Sequence, residues 1–347
     1  MKKWLIIVLV LAATIWLAVL PGVVGLVLGN RVEQWLDESA PIAESHFEGG
    51  WFASRLALAD THLKADLAAR HVPPTRPGWL EVSGEVDLRQ LPDGGRVDGF
   101  MHINGRTRVA IVAPRFLAGV STRTLLEALT LEFEQHPAGH TRIDLGAAGL
   151  ALANSAGLDL DYTGLELDLE RGPVSDTASR LALELRLGES SDPQALAVTL
   201  TATPIDDLSF DLLLDGLGQL QRARPDSYDA QLALLTLAGA WAGLAKAGLV
   251  IELDRLALGE SSRLDGRWDV AEGQPQITGG GRSEDLLEFI SRLVSLTREA
   301  APAAAEPEAR AWIRTLVERA WLTLEGERFR FAYPSASGGD RSSAGSD

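Results

Sequence analysis

Residues 158–170 read LDLDYTGLELDLE, and the spacing of their leucines decides the fold. Apolar side chains fall at Leu158, Leu160 and Tyr162, then at Leu165, Leu167 and Leu169. A period of two marks a half-buried strand, because successive side chains of a strand point to opposite faces. The phase slips by one at Thr163-Gly164. One extra residue there, as a β-bulge or a tight turn, returns every leucine to a single face. Asp159, Asp161, Glu166, Asp168 and Glu170 then face away from the leucines. These carboxylates raise the question of a calcium ion. The Asp-x-Asp-x-Asp-Gly spacing that wraps one is missing, and a solvated outer face accounts for them.

The same alternation extends in both directions. Strands are predicted at 79–88, 96–112, 129–135, 141–145, 180–187 and 196–202, with turn residues such as Pro92-Asp93-Gly94-Gly95 and Gly172-Pro173 between them. Strands this closely spaced, with no helix intervening, argue for an antiparallel meander. The C-terminal third changes character. Helices are predicted at 226–248, 283–297 and 308–321, and strands at 249–258, 262–270 and in WLTLEGERFRFAY (321–333). The first helix has Leu234, Leu237, Ala238, Trp241 and Leu244 along one stripe; the second has Leu286, Leu287, Ile290, Leu293 and Val294, with Ser283 as its cap. The third buries Trp312, Ile313, Leu316, Val317 and Ala320. Gly279-Gly280-Gly281 reads as a turn and residues 300–308 as a Pro/Ala linker.

Ahead of the strands lies a different kind of segment. Lys2 and Lys3 are followed by an uncharged run that lasts until Arg31. A bilayer core needs about 20 helical residues, so residues 4–29, from Trp4 through Trp16 and Pro21 to Gly29, are long enough to anchor the chain. A kink at Pro21 is tolerated in such a helix. Lysines before the run and Glu33, Asp37 and Glu38 after it put the N-terminus inside and the rest outside. In a bacterium that is a single-pass inner-membrane protein with a periplasmic C-terminal domain. The competing reading is a cleaved signal peptide, whose apolar region is about 7–15 residues and thus shorter than this run. The organisation expected is a basic cytoplasmic end (1–3), a signal-anchor helix (4–29), a short amphipathic connector (30–45), a periplasmic β-rich domain (46–333) and a disordered tail (334–347).

Composition narrows the function. The chain has 347 residues, 46% hydrophobic and 23% charged, an ordinary globular balance. Its net charge of −16 leaves no basic footprint for nucleic acid. With no cysteine there is no disulfide, thiolate metal site, Cys nucleophile or lipoprotein attachment point. The histidines are dispersed without a His-Glu-x-x-His motif, and Pro137 and Gly139 place His136 and His140 in a turn. The glycine triplet lacks both GxGxxG and a P-loop Lys. There is no Gly-x-Ser-x-Gly elbow, and no nucleophile, base and orienting group gather. Neither catalytic residues nor a cofactor or metal is expected.

The stretch HFEGGWFASRLAL (46–58) opens the exported part. Gly49-Gly50 allows a sharp turn, with Phe47, Trp51 and Phe52 plugging the end of a sheet that Arg55–Asp60 enters as its first strand. The functional alternative is an aromatic docking patch for a partner or the membrane surface. Gly29-Asn30-Arg31-Val32-Glu33, continuing to Leu36, and Phe47-Glu48-Gly49-Gly50-Trp51-Phe52-Ala53-Ser54 together resemble the start of the YdgA-like family of bacterial envelope proteins, a domain-of-unknown-function family. Glu33, Phe47, Gly50, Trp51, Phe52 and Ser54 carry that resemblance as a structural motif. It implies an inner-membrane anchor and a periplasmic, mostly β domain. It supplies no catalytic residues and leaves the activity open.

The fold expected is mainly β (α+β): an N-terminal transmembrane helix, then a long twisted antiparallel sheet with a few C-terminal helices packed on it. The function expected is a non-catalytic envelope assembly, secretion or interaction factor, whose partners are the lipid bilayer and other envelope proteins. A lipid or hydrophobic ligand held in an apolar sheet groove is the alternative, and an envelope-polymer hydrolase is a third.

Overall fold

The computed structural model describes residues 44–50, 52–59, 63–71, 80–102, 104–119, 122–189, 195–223, 227–259, 261–298 and 300–334. They divide into two compact units. The first holds Thr124–Gly149 and the described residues up to Gly119; the second holds Thr122, Arg123 and the described residues from Leu150 onward. The expected membrane helix at 4–29, most of the connector and residues 335–347 lie outside the described residues. Among the described residues no helix is long and apolar enough to cross a membrane.

The first unit is an antiparallel run of strands: β1 (Glu44–Glu48), β2 (Ala53–Ala59), β3 (Leu63–His71), β4 (Leu80–Leu88), β5 (Gly95–Met101), β6 (Thr107–Ala118), β7 (Thr122–Gln135) and β8 (Thr141–Ala147). Each pairs with the next. Register places Leu56, Leu67, Gly84, Val97, Ile111, Leu131 and Leu145 in one row across the strands, so the alternation puts one apolar row on one face. Gly84 interrupts the row because a Cβ there would stand 2.1 Å from the Asp66 carbonyl oxygen. The opposite face is charged and paired, as where Arg55 Nε donates to Asp66 Oδ1 at 2.8 Å. The long strand expected at 96–112 is instead the β5–β6 hairpin. Gly105 in the left-handed region (φ 85°) reverses the chain there, and the Arg106 N–H donates to Asn104 Oδ1 at 3.1 Å.

The second unit contains the decisive stretch. Its elements are β9 (Gly149–Asn154), β10 (Asp159–Tyr162), β11 (Leu165–Ser175), β12 (Ala178–Leu187), β13 (Leu196–Asp206), α1 (Asp207–Arg222), α2 (Tyr228–Lys246), β14 (Val250–Leu258), β15 (Ser262–Asp269), β16 (Pro275–Arg282), α3 (Ser283–Arg298), α4 (Pro302–Glu318), β17 (Leu322–Glu325) and β18 (Arg328–Tyr333). β10 pairs with β9 and β11 with β12, so the phase slip at Thr163-Gly164 is a break between two strands. Gly164 has φ 99° with nothing within 4 Å of its Cβ position, so conformation and not crowding selects glycine. β11 to β16 form an antiparallel meander, with β18 beside β16 and β17 beside β18.

All four helices cover one face of this sheet. α1 and α2 pack on Ala202, Ile251 and Trp268, while α3 and α4 pack on Leu256, Leu264 and Phe329. Trp268 and Leu264 lie four apart on β15, hence on the same side. Asp206 caps α1 by accepting from the Ser209 N–H at 2.9 Å, and Ser227 caps α2 by accepting from the Ala230 N–H at 3.1 Å.

Several sequence expectations are corrected here. α1 was not expected. The glycine triplet is not a turn but the body of β16, where a Cβ on Gly281 would lie 2.0 Å from Ser262 Oγ. Ser283 is the first helical residue of α3, its N–H donating to the Glu327 carbonyl at 2.9 Å. Residues 302–308 are helical, not linker. Pro302 sits in the first turn of α4, where its missing N–H costs nothing, and Pro307 is carried inside the helix. The buried stripe of α4 runs through Ala305 and Ala309, leaving Trp312 and Val317 exposed. α2 likewise buries Ala230, Ala233, Ala240 and Leu244 and turns Leu234 outward. In both helices small residues set the approach distance. On α2, a Cβ on Gly243 would meet Ser209 Oγ at 2.2 Å.

Candidate functional site: a slot and a cleft along α3

Trp4, Trp16, Pro21, Gly29, Glu33 and Trp51 lie outside the described residues. Phe47 is half-buried on β1 opposite Leu56. Gly50 lies in the turn from β1 to β2, where a Cβ would stand 2.3 Å from the Ala53 carbonyl oxygen. Ser54 is buried. Phe52 is 55% exposed and plugs nothing, because it sits in the turn ahead of the ladder. The segment beginning at Arg55 belongs to the second strand, since β1 precedes it.

The charged face of the first unit carries two open clefts of about 950 and 590 Å³. Arginines along them are held by acids, as in Arg96–Asp98 and Arg108–Glu132. Exposed ion pairs of this kind describe a solvated surface.

The second unit offers something more specific. Between α3 and the strands lies an apolar slot of about 180 Å³. Leu152, Tyr162, Leu187, Leu196 and Leu258 wall it from the strands, and Phe289 walls it from the helix. Leu293 and Leu296, each 40% exposed, also line it. Interiors hold few voids larger than a water molecule, and an apolar cavity of about 150 Å³ admits a benzene ring. The slot is therefore a space for a short apolar group.

A second cleft of about 640 Å³ adjoins it and shares Glu288 and Arg292 with it. Asp159 and Asp161 come from β10, Glu284 and Glu288 from α3, and Glu306 from α4. Arg292 stands between the compartments with its side chain 12% exposed. It donates to Glu288 Oε1 at 2.7 Å and to Tyr162 Oη at 3.3 Å, and its guanidinium lies 5.5 Å from the Tyr162 ring centroid. Among the described residues no group of His, Asp or Glu side chains is placed to hold a metal ion.

The alternation of residues 158–170 assigns Asp159 and Asp161 to a water-facing surface, and the stripe of α3 assigns Leu293 to its apolar face. The one sequence signal for the site is Arg292, a cation inserted beside the apolar stripe of α3. Comparison with protein-family profiles, curated proteins and solved structures finds no match to this chain.

Proposed function

We propose that this chain is a non-catalytic, single-pass factor of the bacterial inner membrane whose periplasmic part holds a hydrophobic ligand beneath α3. The slot between α3 and the sheet carries this reading: it is preformed, apolar and large enough for an acyl segment or a ring. The uncharged run at 4–29 and the YdgA-like motif at Phe47–Ser54 support the tether and the compartment. Mass spectrometry of organic extracts from the purified full-length chain tests it. A hydrophobic molecule enriched with the wild type and reduced in Leu293→Gln/Leu296→Gln is expected. Equal recovery from both would count against the slot.

A second reading, docking of another envelope protein, is favoured by one observation. Leu208 and Leu235 on α1 and α2 are 71% and 70% exposed, with Leu232 and Leu214 also outward. Crosslinking in membranes with Leu208→Gln/Leu235→Gln as the control distinguishes it. A crosslinked partner lost in the variant supports docking, and a chain recovered alone in both does not.

A further inference from the structure

Resting on the docking reading of α1 and α2, we infer that the partner received there is a second copy of this chain, held by antiparallel pairing of α2 with the α2 of that copy. From Ala230 to Ala245 the helix carries no charge. Only one side of it is buried, through Ala230, Ala233, Ala240 and Leu244. A helix that is apolar all round belongs in an interior, so the outward side lacks its cover. That side carries Tyr228, Leu232, Leu235, Gly239, Ala242 and Lys246, every one of them exposed. Their spacing alternates between four and three residues, the repeat with which one helix presents a seam to another.

The seam is complementary to itself. Laid antiparallel about Leu237, each seam position meets another seam position. Tyr228 meets Lys246 of the second copy, Leu232 meets its Ala242, and Leu235 meets its Gly239. Large side chains thus stand over small ones at every inner position. The hollow at Gly239 is open, since nothing lies within 4 Å of its Cβ position. The ends match as well: Lys246 stands over the Tyr228 ring and beside Asp229 of the second copy. Neither Asp229 nor Lys246 has an ion pair among the described residues of its own chain. A parallel pairing would set Leu235 on Leu235 and Lys246 on Lys246 and leave the hollows unfilled. A lipid surface is the poorer cover, because Asp211 and Asp215 are exposed on the neighbouring α1 and an anionic bilayer attracts Lys and Arg. With α2 about 28 Å long and the two helices about 20 Å wide, at most about 560 Å² per copy comes within reach. A standard interface takes about 800 Å² per partner, so the pair is weak and gains from copies sharing one membrane.

The chain has no cysteine, so introduced thiols report the register without background from its own side chains. Full-length copies carrying Leu232→Cys and Ala242→Cys under two different tags are co-expressed, and their membranes are treated with a short bismaleimide. Leu232→Cys is expected to crosslink to Ala242→Cys and neither to itself, because two copies of position 232 stand about 15 Å apart along an antiparallel pair. Gly239→Leu fills the hollow without displacing a neighbour in its own chain. It should cut the crosslinked yield at least tenfold without lowering the urea-unfolding midpoint. If Leu232→Cys crosslinks to itself and not to Ala242→Cys, or Gly239→Leu leaves the yield unchanged, the antiparallel pair is overturned. If both thiols crosslink only to a different protein, the second copy is the wrong partner while the docking reading stands. If neither crosslinks to any protein, the docking reading fails with it.

Discussion

Arg171 on β11 and Asp207 in the first turn of α1 are directly joined: Arg171 Nη2 donates to Asp207 Oδ1 at 2.6 Å. Ser179 Oγ donates to the same oxygen at 2.7 Å, and the Arg171 guanidinium lies 5.0 Å from the Phe210 ring centroid. A strand running straight into a helix with no loop needs such a tie to fix the direction in which the helix leaves the sheet. Burial acts to raise the Asp207 pKa. The bonds from Arg171 and Ser179 outweigh it and hold the carboxyl below its ordinary range.

That shift makes stability pH-dependent with a definite sign. The folded pKa of Asp207 lies below the unfolded value of about 3.9. Its contribution is therefore present above that unfolded value and lost as pH falls through the lower folded one. Asp207→Asn should cost about 1 kcal/mol or less at pH 7, because the carboxylate is a third exposed and screened. The gap between wild type and variant in urea unfolding should hold from neutral pH down to about 4 and close below it. A gap that persists undiminished under strong acid would refute the pairing.

Glycine at 281 is required by close approach. A methyl there would collide with Ser262 Cα at 2.4 Å as well as with its Oγ, and that Oγ donates to Asp285 Oδ2 at 2.6 Å. Gly281→Ala should push β16 off β15 and cost about 2 kcal/mol or more. Gly239→Ala in α2 is the control, since nothing lies within 4 Å of its Cβ position. It should stabilise by roughly 0.5–1 kcal/mol through helix propensity. Chemical denaturation of the two variants checks both signs.

Trp312, expected in the buried stripe of its helix, faces outward at the C-terminal end. Leu322 is 2% exposed and packed with Val294, Ala305 and Phe329, whereas Trp312 is 45% exposed. Leu322→Ala should cost about 2–5 kcal/mol. Trp312→Ala should cost under about 1 kcal/mol, as surface changes usually do. Equal losses in thermal melts would show that Trp312 belongs to the core after all.

Why the strands were legible and parts of the helical layer were not follows from where the information sits. The alternation around Leu158 and Leu167 is local, and a wrong phase would send every leucine into water. α1 was hidden because DLLLDGLGQL carries consecutive leucines and two glycines, which blur a 3.6-residue stripe, and because no turn residue separates it from β13. α4 was misread through its prolines: Pro302 suits a first turn, but Pro307 breaks the usual rule inside a helix. The candidate site was beyond reach for a different reason. Asp159, Ser291 and Glu306 come from β10, α3 and α4, and no motif spacing links residues so far apart in the chain.

The partition between slot and cleft gives the sharpest prediction. Glu288 neutralises Arg292, with its own side chain 42% exposed and solvated. Glu288→Gln keeps the shape, removes one carboxylate from the cleft and takes away the Glu288 charge that opposes Arg292 beside the slot. Removing one negative charge beside a partly desolvated guanidinium makes the wall less favourable to a cation and more favourable to an anion. Among probes for the slot titrated into the full-length chain by ligand-observed NMR, hexanoate should therefore gain several-fold in affinity while hexylammonium loses, and hexanol, which carries no charge, should not change. Because Arg292 still donates to Tyr162, the variant should unfold within about 1 kcal/mol of the wild type. A loss of all three ligands together would mean that Glu288 shapes the slot and does not set its charge.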